Sequence, residues 1–250
     1  MKALIEGLRY LQLPAMRSEW KERADAARRN EHSYETYLGE LVDSECALRR
    51  HNRIERLQRA SKLPLDKTFD TFDMKRLPRK LANQVKVLLD GSFLARSENV
   101  LAFGNPGSGK THLLCAIGHE MIVRHGKRVL FTRTSLLVQE LLVAKRDLKL
   151  PRMLARMSKL DALLIDDIGY VQQNREEMEI LFTLLADCYE RTSILLTSNL
   201  PFSKWEAIFK DPMTTAAAID RLVHHSVILE LNLPSYRAEA ARKPRGKAGK

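Results

Sequence analysis

Residues 104–111 are Gly104-Asn105-Pro106-Gly107-Ser108-Gly109-Lys110-Thr111, which fit the pattern G-x-x-x-x-G-K-[ST]. They follow the apolar run 100–103 and precede a helical pattern, which is the placement that a phosphate-binding loop requires. In such a loop backbone N–H groups surround the phosphates, the lysine reaches the outer phosphates, and the last hydroxyl ligates Mg²⁺. We therefore predict that residues 104–111 bind ATP, with Lys110 acting on the outer phosphates and Thr111 on Mg²⁺.

Two later apolar runs also lead into polar residues. Asp166 and Asp167 follow residues 162–165, and Asn199 comes two residues after the run 194–197. P-loop enzymes hold magnesium with a carboxylate at the carboxyl end of a strand, so Asp166 is the candidate metal ligand. Asp167 is the candidate group that orients or deprotonates the attacking water. Asn199 can contact both the γ-phosphate and that water, provided that its strand lies between the other two.

Two arginines are candidates for stabilising charge on the transferring phosphoryl group. Arg221 lies in Asp220-Arg221-Leu222 near the end of a helical pattern, and Arg237 follows the last apolar run in Ser235-Tyr236-Arg237. For either arginine, a surface ion pair with an acid such as Asp220 is the alternative. The residues alone leave both interpretations open.

The chain alternates short apolar runs with longer amphipathic segments beyond about residue 90. The five strand candidates are 100–103, 128–131, 162–165, 194–197 and 227–231. The segments that follow the first four are long enough for crossover helices, which is typical of a parallel sheet covered on both faces. We predict an α/β fold, a P-loop core whose parallel sheet is sandwiched by helices, with a connecting helix over residues 80–89.

The N-terminal part has a different pattern. Residues 1–61 contain no strand-like run, and their apolar residues recur at helical spacing. The break at Lys62-Leu63-Pro64-Leu65-Asp66 ends that pattern, because proline lacks a backbone donor and restricts the preceding residue. We predict a helical domain over residues 1–65, an ATPase domain over 66–236, and a basic, disordered tail over 237–250.

The formal net charge of +11 and the sequence pI near 9.7 favour a polyanionic partner such as DNA, although a solvated basic surface gives the same charge. Arg49, Arg53 and Arg56 lie at helical spacing on one face and are candidates for phosphate contacts. An exposed face with ion pairs is the alternative. No convincing helix-turn-helix pattern is present, so we expect any DNA binding to be largely insensitive to base sequence.

Composition limits the compartment and the chemistry. No apolar run approaches the ~20 residues of a membrane-spanning helix, and the first residues turn polar too early for a signal peptide. We therefore expect a cytoplasmic protein with no membrane partner. Cys46, Cys115 and Cys188 form no Cys-x-x-Cys pair, so we predict reduced core residues. The seven histidines show no recognisable zinc spacing.

These motifs, in this order, resemble those of the AAA+ ATPases, and more narrowly the branch that contains the helicase loader DnaC and the transposition helper IstB. The stretches that carry the narrower resemblance are 104–113 (GNPGSGKTHL), 163–169 (LLIDDIG), 197–205 (TSNLPFSKW) and 220–231 (DRLVHHSVILEL). The Asp-Asp pair and the Ser-Tyr-Arg ending are shared by that branch. The helical start also looks like the N-terminal region of IstB, so the resemblance covers nearly the whole chain.

The resemblance implies a homo-oligomer with ATP sites at its subunit interfaces. Arg221 most resembles an arginine finger that acts in trans, and Arg237 the second sensor, although the two roles could be exchanged. It also implies that the protein assembles on DNA with ATP bound, recruits or activates the transposase of its insertion sequence, and disassembles after hydrolysis. Related ATPases draw adenine contacts from a linker that corresponds to residues 68–72.

Two other functions share the ATP site. A helicase loader would hold single strands, which commonly requires aromatic platforms, and some loaders carry a cysteine-rich zinc domain at the N-terminus. Cys46 is the only cysteine before the P-loop, which favours the transposition helper. A small-molecule kinase has no hydrolytic water to position, so Asn199 and the acid pair argue against it.

Overall fold

The computed structural model describes residues 1–169, 175–205, 212–236 and 239. Arg237 and nearly all of the 237–250 tail, including its expected disorder, lie outside the described residues. The chain divides into two compact units, Met1–Arg56 and Leu57–Lys250. Within the described ranges, every helix is too short or too polar to cross a membrane.

The first unit is built from helices. They are α1 (Lys2–Tyr10), α2 (Pro14–Arg29) and α3 (Tyr34–Ser61), of which α3 continues into the second unit. The Ser33 hydroxyl accepts a hydrogen bond from the backbone N–H of Thr36 at 3.2 Å, so Ser33 caps α3 as its sequence position predicts. The sequence break at Pro64, on which the 65/66 boundary rests, lies three residues after the end of α3.

A buried carboxylate organises this unit. Glu45 on α3 is only 4% exposed and accepts hydrogen bonds from the backbone N–H groups of Ala15 at 2.9 Å and Met16 at 3.3 Å. These N–H groups belong to the first turn of α2, whose own N-cap residue, Leu13, supplies no side-chain acceptor. Glu45 therefore caps α2 from a neighbouring helix and also complements its dipole.

The second unit contains five strands and seven α-helices within its described residues. The strands are β1 (Asn99–Phe103), β2 (Val129–Arg133), β3 (Ala162–Ile168), β4 (Ser193–Ser198) and β5 (Ser226–Glu230). The helices are α4 (Arg79–Leu88), α5 (Ser92–Ala95), α6 (Lys110–His125), α7 (Thr134–Arg146), α8 (Leu150–Met157), α9 (Arg175–Cys188) and α10 (Pro212–Val223). Two short 3₁₀ helices span Met74–Arg76 and Phe202–Lys204.

All strand pairs are parallel, and the sheet order is β2-β3-β4-β1-β5. Strand β4, which is buried along its whole length, lies between β3 and β1. This confirms the predicted α/β fold. It also meets the condition for Asn199, because its strand separates the strand of the acids from the strand of the P-loop.

One strand is longer than its apolar run. The pattern predicted that β3 ends at Ile165, but the strand continues through the two acids to Ile168. Its register with β4 shifts between Ile165 and Ile168, and Asp167 has a φ of +67°. This bulge allows the acids to lie within a strand, which an apolar pattern does not signal.

The cysteine prediction is correct for two residues and wrong for the third. Cys115 and Cys188 are buried, and burial raises the pKa of each thiol to about 12. Cys46 is exposed on α3. It follows Glu45, whose carboxylate takes the inward position on that turn of the helix.

Candidate nucleotide-binding site

The P-loop connects β1 to α6, and its glycines have backbone conformations that suit glycine alone. Gly104, Gly107 and Gly109 have φ values of +149°, +80° and +97°. A Cβ added at Gly104 would collide with the backbone oxygen of Leu231, and one added at Gly107 would collide with the Ser235 side chain. The loop therefore packs closely against the segment after β5, and a side chain at either glycine would disrupt that packing.

A buried hydroxyl in this loop indicates a ligand that accepts hydrogen bonds. Ser108 is 5% exposed, and its Oγ has no hydrogen-bond partner among the described residues. Buried polar groups are nearly always satisfied, so an isolated hydroxyl requires an explanation. A phosphate oxygen in the loop would accept its hydrogen. This observation fits the predicted nucleotide.

Lys110 is held at the centre of the site. Its side-chain Nζ donates hydrogen bonds to the backbone oxygens of Gly104 at 2.7 Å and Asn105 at 2.9 Å. It also donates to Oδ1 of Asn199 at 2.6 Å. Lys110 is 6% exposed, so its charge acts in a desolvated place where electrostatic interactions are strong. A phosphate bound in the loop would lie next to this charge.

The side chains of Thr111 and Asp166 bring two oxygen-bearing groups together. The Thr111 hydroxyl donates a hydrogen bond to Oδ1 of Asp166 at 2.7 Å. The Thr134 hydroxyl donates to the backbone oxygen of Asp166 at 2.9 Å and so helps to fix its position. A hydroxyl and a carboxylate beside a phosphate site are the hard oxygen donors that Mg²⁺ prefers. The residues present therefore fit the predicted metal.

Asp167 and Asn199 are linked to each other and to Lys110. The amide nitrogen of Asn199 donates to Oδ1 of Asp167 at 3.0 Å, while its amide oxygen accepts from Lys110. The result is a continuous chain of hydrogen bonds from the P-loop lysine to the second acid. Asn199 thus has the intermediate position that the order of strands predicts.

One residue that the motif search did not single out joins the two acids. Thr197 is 1% exposed, and its hydroxyl donates to Oδ1 of Asp166 at 2.7 Å. The hydroxyl oxygen of Thr197 also accepts a hydrogen bond from the backbone N–H of Asp167 at 2.7 Å. Thr197 lies near the end of β4, beside the bulge in β3, and no local sequence pattern indicates that contact.

A cavity of about 190 Å³ opens beside the P-loop. Its walls come from three segments: the linker residues 67–76, the P-loop and start of α6, and the segment after β5. Phe72 packs edge-on against His112, with ring centroids 5.2 Å apart, and the Arg76 guanidinium lies 5.0 Å from the ring centroid of Tyr236. Apolar rings with a few polar groups are typical of a site for a base.

The linker was predicted to supply adenine contacts, and Thr71 and Phe72 do line this cavity. Sequence reasoning missed Arg76, His112 and Tyr236. The backbone N–H of Tyr236 donates to the oxygen of Gly107 at 2.9 Å, which joins this segment to the P-loop. Tyr236 is itself the tyrosine of the Ser-Tyr-Arg motif, and that membership was the available signal.

Arg221 lies away from this site. Its backbone oxygen accepts a hydrogen bond from the Asn99 side chain at 3.4 Å, at the first residue of β1. The P-loop begins after the last residue of that strand, roughly 13 Å further along at a rise of about 3.3 Å per residue. The guanidinium of Arg221 instead donates to the oxygen of Ala217 at 3.0 Å and lies 5.0 Å from the ring centroid of Phe182.

The predicted DNA-contacting arginines belong to the other compact unit. Arg49 pairs with Glu45 at 3.1 Å and donates to the backbone oxygen of Gln12 at 2.9 Å. Arg53 and Arg56 are exposed on the same helix. Arg49 thus takes part in the packing of its own unit through both of these contacts.

The sheet order, the P-loop after β1, the acids in β3 and Asn199 after β4 define a P-loop nucleotide-binding protein with the AAA+ fold. Solved structures share this fold. AMPPCP-bound DnaA from Aquifex aeolicus matches 68% of this chain and 51% of its own, with a TM-score of 0.54 and 22% identity. The DnaC helicase loader matches 66% of this chain and 97% of its own, with a TM-score of 0.53 and 19% identity.

The chain belongs to the family of IstB-like ATP binding proteins, whose model matches residues 7–244. An insertion sequence ATP-binding protein of Sinorhizobium fredii is 42% identical over 244 residues, which are 97% of this chain and 82% of the relative. The insertion sequence IS5376 ATP-binding protein of Geobacillus stearothermophilus is 38% identical over 232 residues, which are 93% of this chain and 92% of the relative. These matches confirm the resemblance seen in the sequence.

Proposed function

We propose that this protein hydrolyses ATP to ADP and phosphate and uses the ATP cycle to assist an insertion-sequence transposase. The observation that carries the hydrolytic part is the hydrogen-bonded chain from Lys110 through Asn199 to Asp167. A protein that only binds ATP needs the lysine, but it does not need an amide that connects the lysine to a second acid. Such a connection is useful where a water must be positioned beside the γ-phosphate.

Each residue has a defined role in this proposal. Asp167 orients the attacking water and takes its proton, and Asn199 holds that carboxylate in line with the outer phosphate. Lys110 neutralises the charge that develops on the phosphate oxygens. Thr111 and Asp166 would hold Mg²⁺, which supplies further neutralisation when bound. Thr197 keeps the two acids in a fixed relative orientation through its hydroxyl.

The position of Arg221 supports an assembly in which subunits complete each other's sites. Arg221 lies near the opposite end of β1 from the P-loop of its own chain, so it cannot act there. It lines a shallow surface depression together with Met213, Ala217 and Asp220, and Met213 is 84% exposed. We propose that this surface faces the ATP site of a neighbouring copy, where Arg221 stabilises the transferring phosphoryl group.

Two basic surfaces are proposed to contact the phosphates of duplex DNA. One is the exposed face of α3 with Arg53 and Arg56. The other is on α8 and the turn that follows it, where Arg152 and Arg156 of the helix and Lys159 of the turn line an open depression of about 540 Å³. Contacts of this kind neutralise phosphates without reading bases, so binding should be insensitive to sequence and should weaken steeply with salt.

The link to transposition rests on the relatives. The two quoted above are insertion sequence ATP-binding proteins that match more than nine-tenths of this chain. The helicase loader DnaC matches only about two thirds of it and shows the fold alone. We therefore favour the transposition helper and propose the transposase of the same insertion sequence as its partner. A helicase loader is the second candidate.

The test is ATP turnover by the purified protein alone, with single-stranded DNA and with duplex DNA, while its assembly state is followed by light scattering. The proposal predicts that ATP and duplex DNA together promote assembly and change turnover. A response to single strands alone would favour the helicase loader. If neither kind of DNA changes turnover or assembly, the proposed role in transposition is contradicted, whereas the proposed ATP site is not.

The DNA surface is tested by salt dependence. Arg152→Ala and Arg156→Ala together should weaken duplex binding for all sequences and lower the slope of log affinity against log salt by roughly 2, about one unit for each lost phosphate contact. Arg96→Ala is the matched control, since this arginine pairs with Glu98 at 2.8 Å in the same unit. An unchanged salt slope in the double variant would remove α8 from the proposal.

A further inference from the structure

Three metal-ligand side chains meet away from the nucleotide site. They are Glu190, which follows α9, and the adjacent pair His224 and His225, which form the turn between α10 and β5. One potential ligand atom from each side chain lies within 4.8 Å of the others. The acid and the histidines are far apart in sequence, so only the packed fold brings them together.

The set of donors has a definite chemical preference. Two imidazole nitrogens, which are borderline-soft ligands, and one carboxylate oxygen suit zinc and similar divalent transition metals. In a tetrahedral zinc site, ligand atoms about 2.0–2.2 Å from the metal lie roughly 3.3–3.5 Å from each other. All three side chains are exposed, so modest rotations about their side-chain bonds can close the remaining gap.

A neighbouring tyrosine supports one of the imidazoles. The Tyr189 hydroxyl lies 3.0 Å from Nδ1 of His224. This contact orients the imidazole of His224, and a polar partner on one ring nitrogen is the usual support of a metal-binding histidine.

We propose that Glu190, His224 and His225 bind a divalent transition metal ion such as Zn²⁺, with solvent completing the coordination. The bound ion joins the end of α9 to the α10–β5 turn. Arg221 lies three residues before His224, so the ion also stiffens the segment behind that arginine. That last consequence rests on the proposed function, whereas the metal site does not.

The test is a zinc titration of the full-length protein by calorimetry, after removal of metals by a chelator and in excess Mg²⁺. The excess Mg²⁺ competes with zinc for the Thr111–Asp166 pair, whose hard oxygen atoms suit Mg²⁺ better than zinc. We expect one zinc ion per chain. Substituting Co²⁺ should give visible absorption bands that report imidazole coordination in a low-symmetry site.

Variants assign the ligands. His225→Ala and Glu190→Gln should each weaken zinc binding by about 10-fold or more, and Tyr189→Phe by about 10-fold through loss of its support to His224. His51→Ala is the control, because His51 and Glu55 form an exposed histidine–acid pair at 3.3 Å. Its zinc affinity should match that of the parent. Circular dichroism verifies that each variant is folded.

Two results would overturn the proposal. One is a parent protein that binds zinc only in the millimolar range, as isolated surface histidines do. The other is unchanged zinc affinity in the folded Glu190→Gln and His225→Ala variants. The titration uses no ATP, so a protein that fails to hydrolyse ATP still gives a valid test of this site.

Discussion

Replacing Thr197 by valine tests whether one hydroxyl organises the two acids. Thr197 is 1% exposed, donates to Asp166 at 2.7 Å and accepts from the Asp167 N–H at 2.7 Å. Valine has nearly the same shape, so the change removes polar contacts and leaves no cavity. Loss of a hydrogen bond to a charged group costs about 1.5–3 kcal/mol, and a buried N–H without an acceptor costs about 1–3 kcal/mol.

Because the two losses share one atom, they are not simply additive, and we expect the free energy of unfolding to fall by about 3 kcal/mol. For a chain of this size that corresponds to a decrease in Tm of roughly 6–12 °C. Calorimetry of the nucleotide-free protein measures it. ATP turnover should fall as well, since Asp167 loses its fixed orientation.

The matched control is Thr197→Ser, which keeps the hydroxyl and loses one methyl group. Its cost should be only about 1 kcal/mol, and its turnover should stay near that of the parent. If the valine and serine variants were equally stable and equally active, the hydroxyl would have no organising role and the reasoning would be refuted.

Four further outcomes follow from described contacts. Glu45→Ala should destabilise the helical unit by about 2 kcal/mol, because it removes the cap of α2; chemical denaturation followed by circular dichroism measures this. Gly107→Ala should lower ATP affinity by more than about tenfold, as measured by calorimetry, since its φ is positive and a Cβ meets the Ser235 side chain. Iodoacetamide at pH 8 should modify Cys46 in the native protein and spare the two buried cysteines, whose pKa is about 12; mass spectrometry after brief labelling would contradict this by finding three adducts. Arg221→Ala and Lys110→Ala variants should each lack turnover alone and regain part of it when mixed, whereas a mixture as inactive as its components would argue against action in trans.

The parts of the site that sequence predicted are those encoded in contiguous motifs. The P-loop and the acid pair each follow a short apolar run in the sequence, and the carboxyl ends of parallel strands meet at one edge of a sheet. Asn199 could be placed only by assuming the strand order, and the order β3-β4-β1 supplies it. Local sequence pattern and sheet topology therefore account for the chain of hydrogen bonds from Lys110 through Asn199 to Asp167.

The remaining features depend on contacts that no local pattern encodes. Thr197 contacts both acids because β3 has a bulge beside it. The apolar run stops at Ile165, so it signals neither the bulge nor the last three residues of the strand. Tyr236 and Arg76 meet across 160 positions of sequence. The exposure of Cys46 depends on which face of α3 packs against α2. In each case tertiary packing determines the contact or the exposure, and the periodicity of apolar residues does not indicate it.

The most direct test of the central claim is single-turnover ATP hydrolysis by the parent and by Asp167→Asn, with nucleotide affinity measured on the same samples. Asp43→Asn, an exposed acid on α3, is the control for loss of one carboxylate. The proposed role predicts that Asp167→Asn binds ATP as tightly as the parent and hydrolyses it at least about 100-fold more slowly. A rate loss of about 100-fold to 10,000-fold is typical when a general base is removed. Equal hydrolysis rates in parent and variant would contradict the assignment of Asp167 as the group that positions the water. They would also contradict the proposal that this site is built for ATP hydrolysis.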